Sequence, residues 1–213
     1  CCMQKDRLIP KVRNFLELVA ENSEEKLFEE SRRLHSIIGG SISVLPPDSR
    51  HADYEIIPLN IADGCLYNCR FCCVKSGRRL EVRPYSSVEE QIRQLKLFYG
   101  KNLSNYNAIF LGNHDGLAAG ADIISKAAYD SISGFGFKID DETKPKIFMF
   151  GSVGTFLRSK NGVFERINSL PFKTYINIGL ESVDKETLEL INKPLSPAKV
   201  REAFFRMLEI NRE

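Results

Sequence analysis

Three closely spaced cysteines are the residues of this sequence best suited to chemistry. Cys65, Cys69 and Cys72 lie in the segment DGCLYNCRFC, where they follow a C-x3-C-x2-C spacing. Thiolates are soft ligands that bind zinc or iron–sulfur clusters in proteins. Four of the six cysteines fall within nine positions, whereas a disulfide framework spreads its cysteines along the chain to close loops. The spacing therefore predicts a metal centre in a reducing compartment.

The number of cysteines separates two kinds of centre. Three cysteines on a four-iron cluster leave one iron without a protein ligand, and that iron can bind a substrate or cofactor directly. A structural zinc site instead needs four ligands, usually as two separated pairs. Adjacent residues seldom both reach one metal, so Cys73 is not assigned as a ligand, and His51 and His114 are the candidate fourth ligands for zinc. The sequence favours the cluster, with zinc as the alternative.

Alternating strands and helices position these cysteines. Four runs of β-branched and apolar residues predict strands, each followed by a helical pattern. The runs cover residues 54–61, 107–111, 146–150 and 174–180. Such alternation is typical of right-handed parallel crossovers, so the predicted fold is α/β, a partial parallel (β/α) barrel. The cysteines follow the first strand, and barrels of this kind carry their chemistry in the loops at the carboxyl ends of strands.

The barrel is predicted to occupy residues 51–213, behind a helical extension over residues 1–50. The extension contains two amphipathic helices, whose predicted apolar faces are Val12, Phe15, Leu16 and Val19, then Leu27, Phe28, Leu34 and Ile38.

Capping patterns predict two helix starts in the barrel. Ser86 and Ser87 stand before Glu89 with the spacing of a capping box, which predicts that a helix begins there. Ser196 is followed by Pro197, which is typical of an N-cap and the first helical position.

Composition narrows the class of protein. The chain has 213 residues, of which 43% are apolar, so it can bury a core. Its 30 basic and 28 acidic residues give a net charge of +2, which does not indicate a nucleic-acid partner. No apolar run is long enough to span a membrane and no signal peptide is recognisable, so we expect a cytoplasmic protein. Because the chain starts at Cys1 and stops within a helical pattern, we expect it to be part of a longer protein.

The cysteine motif resembles the signature of the radical S-adenosylmethionine (SAM) superfamily, C-x3-C-x-Φ-C, in which Φ is aromatic. Phe71 occupies the Φ position. The resemblance implies that Cys65, Cys69 and Cys72 bind a [4Fe–4S] cluster whose fourth iron is chelated by SAM. It further implies reductive cleavage of SAM to a 5′-deoxyadenosyl radical that takes hydrogen from an unknown substrate, with electrons from a donor such as flavodoxin or ferredoxin.

Two further segments support this resemblance. The segment FLGNHDG follows the second strand and is placed like the family's glycine-rich motif, which contacts the methionine amino group. It departs from the usual Gly-Gly-Glu, so the resemblance makes Gly112, Asn113 and Asp115 the candidate contacts. A polar turn with an Asx cap is the structural alternative. We expect His114 to be a wall residue of the site.

The segment NIGLES follows the fourth strand and resembles a Gly-Leu-Glu-Ser segment of family members. Glu181 and Ser182 are therefore candidates for contact with the ribose hydroxyls, and Ser152 after the third strand is a candidate of the same kind. Capping of the following helices is the alternative role. Family barrels usually have six strands, so we expect about two more βα units than this chain shows.

Three functions follow from these features. The first is a radical SAM enzyme, supported by the cysteines together with the two strand-end segments. The second is an iron–sulfur module for electron transfer or regulation, which uses the cysteines without SAM. The third is a zinc-stabilised binding domain.

Overall fold

The computed structural model describes residues 10–41, 55–72, 79–112, 114–140 and 144–211. The strands are β1 (Ile56–Leu59), β2 (Ala62–Asp63), β3 (Glu81–Val82), β4 (Ala108–Leu111), β5 (Lys146–Ser152) and β6 (Lys173–Gly179). The α-helices are α1 (Pro10–Ala20), α2 (Glu24–Ile38), α3 (Tyr85–Tyr99), α4 (Gly120–Phe135), α5 (Val153–Arg158), α6 (Asn161–Asn168), α7 (Lys185–Leu190) and α8 (Pro197–Ile210). Short 3-10 helices cover Gly100–Asn105 and Gly116–Ala119.

Four parallel strands form the sheet that positions the site. Their order is β1-β4-β5-β6, and the register pairs Leu59 with Leu111 and Ser152 with Gly179. Because the strands are parallel, their carboxyl ends lie along one edge of the sheet. The predicted parallel α/β fold is therefore confirmed. Among the described residues the sheet is open, with β1 and β6 at its edges.

Side-chain alternation along the strands produces two apolar clusters. Residues such as Ile57, Ile109 and Ile147 pack with the helices in the main core. The intervening positions form a second cluster, in which the rings of Phe110 and Phe148 stack at a centroid distance of 6.4 Å and Phe148 stacks on Tyr175 at 5.0 Å. Both faces of the central strands are therefore apolar, as expected for a parallel sheet.

Several predicted boundaries were wrong by one or two residues, among them the end of the first strand, which stops at Leu59 and not at residue 61. Helix α3 begins at Tyr85 after an extended Pro84, so Ser86 and Ser87 lie inside its first turn and do not cap it. A capping box with Ser86 as the N-cap would start the helix at residue 87, and the observed start after Pro84 is two residues earlier. Strand β5 continues to Ser152, two residues beyond the predicted end, because it pairs with β6 over that length.

The predicted faces of the first two helices are only partly buried. Leu34 and Ile38 of α2 pack into the core, whereas Leu27 and Phe28 are exposed. No residue of α1 is buried. Within the described part of the chain, no helix has both the length and the apolar character needed to cross a membrane.

Arg83 joins the end of α2 to the base of the cysteine loop. Its guanidinium donates two hydrogen bonds to the Asp63 carboxylate, at 2.7 and 2.6 Å, and others to the carbonyls of Ile38 at 2.8 Å and Gly39 at 3.2 Å. The last carbonyls of a helix have no intrahelical partner, so a guanidinium satisfies them well. Strands β2 and β3, which flank residues 64–80, are thereby fixed to the helical extension.

We expect Arg83→Ala to lower the free energy of unfolding by about 2–4 kcal/mol, because it removes charge-assisted hydrogen bonds from a mostly buried site. Urea denaturation measures this loss. Arg93→Ala is the matched control, since Arg93 pairs with Glu90 on the surface with side-chain exposures of 62% and 48%. Equal losses in the two variants would contradict a special role for Arg83.

Candidate functional site

The three predicted ligands lie on one short loop after β2. Cys69 is buried, and Cys65 and Cys72 are partly exposed. The Cys72 amide donates to the Cys69 carbonyl at 3.3 Å, which closes a turn between these two cysteines. The Tyr67 amide lies 3.5 Å from Cys65 Sγ, within range of an N–H···S hydrogen bond. The loop backbone therefore faces the sulfur of one predicted ligand.

The three thiols influence one another electrostatically. Burial raises the pKa of Cys65 and of Cys69. The Tyr67 amide lowers the pKa of Cys65, and Lys193 lowers both. Asp115 raises the pKa of Cys65 and Glu181 that of Cys69, each ahead of the neighbouring cysteines. Negative charge on neighbouring thiolates disfavours each of them, and a cationic centre offsets this because metal ligands bind as thiolates. The donor set therefore fits a shared iron–sulfur cluster.

The same residues fit a single metal ion less well. Among the residues the structure describes, no three His, Cys, Asp or Glu side chains converge closely enough to hold one ion. A structural zinc site requires such convergence, whereas a four-iron cluster binds each thiolate through a different iron. His114 is partly buried, and Cys73 and His51 lie outside the described residues.

The cysteine loop is fastened to the turn after α7. The Asn192 side chain donates to the Asn68 carbonyl at 2.8 Å, and the Arg70 amide donates to the Ile191 carbonyl at 2.9 Å. The Arg70 guanidinium donates to the Leu190 carbonyl at 3.1 Å, where α7 ends. These bonds place the cysteines beside the segment that follows β6.

Asp115 connects the ends of β4 and β5. Its side chain is buried, and Oδ1 accepts from the Ser152 amide at 3.2 Å while Oδ2 accepts from the Thr155 hydroxyl at 2.5 Å. Ser152 Oγ accepts from the Thr155 amide at 3.0 Å and so caps α5. The structure thus brings the candidates Asp115 and Ser152 together, and their polar atoms bond within one network.

The glycines of the same segment shape its turn. Gly112 has a φ of 96°, a conformation that side chains rarely adopt. A Cβ on Gly116 would lie 2.3 Å from the Leu111 carbonyl oxygen, so only glycine fits there. The chain therefore turns tightly at the end of β4. Asn113 lies outside the described residues.

Glu181 forms an ion pair with a lysine that the sequence analysis missed. Lys193 Nζ pairs with Glu181 Oε2 and donates to the Gly179 carbonyl at 2.8 Å, and the Lys193 side chain is only 5% exposed. A Cβ on Gly179 would lie 2.9 Å from Glu181 Oε1, so this glycine makes room for the pair. Glu181 itself has a φ of 48°.

Ser182 and Phe71 differ in their surroundings. Ser182 Oγ accepts from the Asp184 amide at 3.0 Å, while Asp184 caps α7 by accepting from the Thr187 amide at 2.7 Å. The capping role that we allowed for Ser182 therefore belongs to Asp184. Phe71 is 57% exposed beside Cys72, so its ring faces outward from the loop.

The comparison with protein families identifies the chain's class. The sequence matches the family model described as the radical SAM superfamily over residues 59–213. The match covers more than half of the chain and includes the cysteine loop and both strand-end segments. The chain therefore belongs to the radical SAM superfamily. No curated protein matches the sequence.

Two solved structures resemble the chain. One is the crystal structure of methylornithine synthase (PylB), with a TM-score of 0.47 and 11% identity, covering 89% of this chain and 49% of that one. The other is OxsB, a cobalamin-dependent SAM radical enzyme with aqua-cobalamin and SAM bound, with a TM-score of 0.44, 20% identity and coverages of 68% and 21%. The chain spans about half the length of the first structure and about a fifth of the second.

We expect Asp115→Ala to lower the free energy of unfolding by about 2–4 kcal/mol, because each buried donor left without a partner costs about 1–3 kcal/mol. Asp122→Ala is the control, since that side chain is 82% exposed and its ion pair with Arg166 is on the surface. Urea denaturation compares the two variants. A loss for Asp115→Ala no larger than the control would show that its hydrogen bonds contribute little.

The Lys193–Glu181 pair predicts an asymmetry. Glu181→Ala leaves a buried ammonium with one carbonyl partner, whereas Lys193→Met leaves a carboxylate that is 32% exposed and open to water. We expect Glu181→Ala to be the more destabilising change by about 1–2 kcal/mol, since an uncompensated buried charge is costly. The double variant should recover part of the loss in urea denaturation. The reverse order would contradict the burial argument.

Proposed function

We propose that this chain is the cluster-binding and SAM-binding part of a radical SAM enzyme. In this proposal Cys65, Cys69 and Cys72 bind three irons of a [4Fe–4S] cluster, and the fourth iron is left for SAM. The observation that carries the proposal is the position of the cysteine loop. Within the region that matches the family, it lies beside the ends of β5 and β6, where Asp115, Ser152 and Glu181 also lie.

When bound and reduced, the cluster supplies the electron that cleaves SAM to methionine and a 5′-deoxyadenosyl radical, which takes hydrogen from a substrate. In this proposal the residues of the chain orient SAM and shield the site from water. Burial of Cys69 limits access of water to one ligand thiol, and the apolar faces of β4 and β5 exclude water beneath the strand ends. We propose a cytoplasmic setting with a low-potential donor such as flavodoxin or ferredoxin, because the thiols require reducing conditions.

The candidate SAM contacts differ in their exposure and in the hydrogen bonds that they already make. Glu181 and Phe71 are at least partly exposed, whereas Gly112 is buried and a Cβ there would stand 3.8 Å from Gly116 Cα. We propose Glu181 and Phe71 as direct contacts, with Gly112, Asn113 and Ser182 as further candidates. The Asp115 carboxylate already accepts from the Ser152 amide, and Ser152 Oγ already accepts from the Thr155 amide. These bonds support a positioning role for both residues beside the cofactor.

Anaerobic reconstitution of the complete gene product with iron and sulfide tests the proposal. We expect a four-iron spectrum, a change in its paramagnetic resonance on addition of SAM, and formation of 5′-deoxyadenosine after reduction. A cluster that does not respond to SAM would instead support the electron-transfer or regulatory module. Zinc without iron after anaerobic purification would support the zinc-stabilised domain.

Single Cys→Ala variants at the three ligand positions should lose the four-iron spectrum and reduce 5′-deoxyadenosine formation at least about 100-fold, because a ligand to the cluster is lost. Cys73→Ala is the matched control and should keep iron content and product formation. Iron analysis and chromatography of 5′-deoxyadenosine measure both. Retention of the cluster without Cys69, or its loss without Cys73, would contradict the ligand assignment.

A further inference from the structure

Tyr67 links the cysteine loop to the start of α5. It stands between the first two cysteines of the motif, and its hydroxyl oxygen accepts a hydrogen bond from the Gly154 amide at 2.9 Å. Its ring is half-buried and packs against the main core. Arg70 and Asn68 attach the second half of the loop to the turn after α7, so Tyr67 is a separate attachment for the first half.

The contact depends on the absence of a side chain at residue 154. A Cβ placed there would lie 2.7 Å from the Tyr67 hydroxyl oxygen, well inside van der Waals contact. Gly154 is the second residue of α5 and needs no left-handed backbone, because it is not among the residues with positive φ. Residue 154 is therefore glycine because a larger residue would collide with the Tyr67 hydroxyl.

The main chain of Tyr67 faces a ligand sulfur. Its amide lies 3.5 Å from Cys65 Sγ, while its hydroxyl accepts from the amide of Gly154, which lies in the chain between the bonded residues Ser152 and Thr155. Hydrogen bonds to the sulfurs of an iron–sulfur cluster raise its reduction potential, since they withdraw electron density from the sulfur. The direction of the amide depends on where the side chain is anchored.

We propose that Tyr67 is a positioning residue that aims its own amide at Cys65 Sγ and thereby sets the reduction potential of the cluster. The inference rests on the proposed function, because it requires the cluster to be bound. Tyr67 touches neither substrate nor SAM in this role. It acts through the position of the loop, which the hydrogen bond from the Gly154 amide to the Tyr67 hydroxyl fixes.

Tyr67→Phe tests the anchor by removing only the hydroxyl. The complete reconstituted protein is titrated anaerobically with dithionite and redox mediators while paramagnetic resonance follows the reduced cluster. We expect the ratio of reduced to oxidised cluster, at the wild-type midpoint potential, to fall about threefold or more. Tyr85→Phe is the matched control, since that hydroxyl donates to Asp130 at 2.5 Å away from the loop, and it should leave the ratio unchanged.

Gly154→Ala tests the same anchor from the other side and leaves Tyr67 intact. Its matched control is Gly162→Ala, the second residue of α6, where an added Cβ meets only Glu165 Oε2 at 3.9 Å. We expect Gly154→Ala to shift the ratio in the same direction as Tyr67→Phe, and Gly162→Ala to leave it at the wild-type value. If Tyr67→Phe fails to hold a cluster, the two alanine variants decide the question.

The proposal is overturned if loaded Tyr67→Phe and Gly154→Ala both titrate at the wild-type potential, or if the controls shift equally. In that case the proposed function still stands if the wild-type protein holds a four-iron cluster and forms 5′-deoxyadenosine. A wild-type protein that holds no four-iron cluster removes the proposed function and this inference together.

Discussion

The geometry of the site depends on the buried carboxylate of Asp115. A carboxylate removed from water loses its hydration, and hydrogen bonds to both oxygens are needed to offset that loss. The Ser152 amide and the Thr155 hydroxyl supply these bonds from the end of β5 and the start of α5. The ends of β4 and β5 therefore stay together, because separating them would leave a buried charge without partners.

The cysteine loop takes its position from that assembly. The described part of the loop between β2 and residue 72 contains no helix or strand, so its order comes from contacts with neighbouring elements. Tyr67 bonds to the start of α5, and Arg70 and Asn68 bond to the end of α7 and the turn after it. Arg83 connects the base of the loop to the end of α2. Ordering a loop costs conformational entropy, which these bonds offset together.

Charge is distributed unevenly around the three thiols. Among the described residues, Lys193 is the buried cation near them, and its ion pair with Glu181 keeps it from being an isolated charge. The pair also determines the conformation of the segment after β6, because Gly179 and Glu181 both take part in it. The same Lys193–Glu181 pair therefore affects both the charge near the cysteines and the backbone conformation at the end of β6.

Local patterns in the sequence predicted a large part of this structure. Strand and helix alternation indicated the parallel sheet, and Ser196 does cap α8 by accepting from the Lys199 amide at 3.3 Å. The serine pattern at residues 86–87 failed because the neighbouring Pro84 determines where α3 begins. The exposed faces of α1 and part of α2 show that an amphipathic pattern alone does not specify burial.

The sequence by itself determined the parallel order of the elements and led to the prediction that the three cysteines are ligands, since both follow from spacing and periodicity over short stretches. Only the tertiary structure decided that Asp115 bonds to Thr155, that Lys193 pairs with Glu181 and that Tyr67 reaches Gly154. Tyr67 and Gly154 are 87 positions apart. No local pattern encodes such contacts, because they exist only after the crossovers have brought the strand ends to one edge of the sheet.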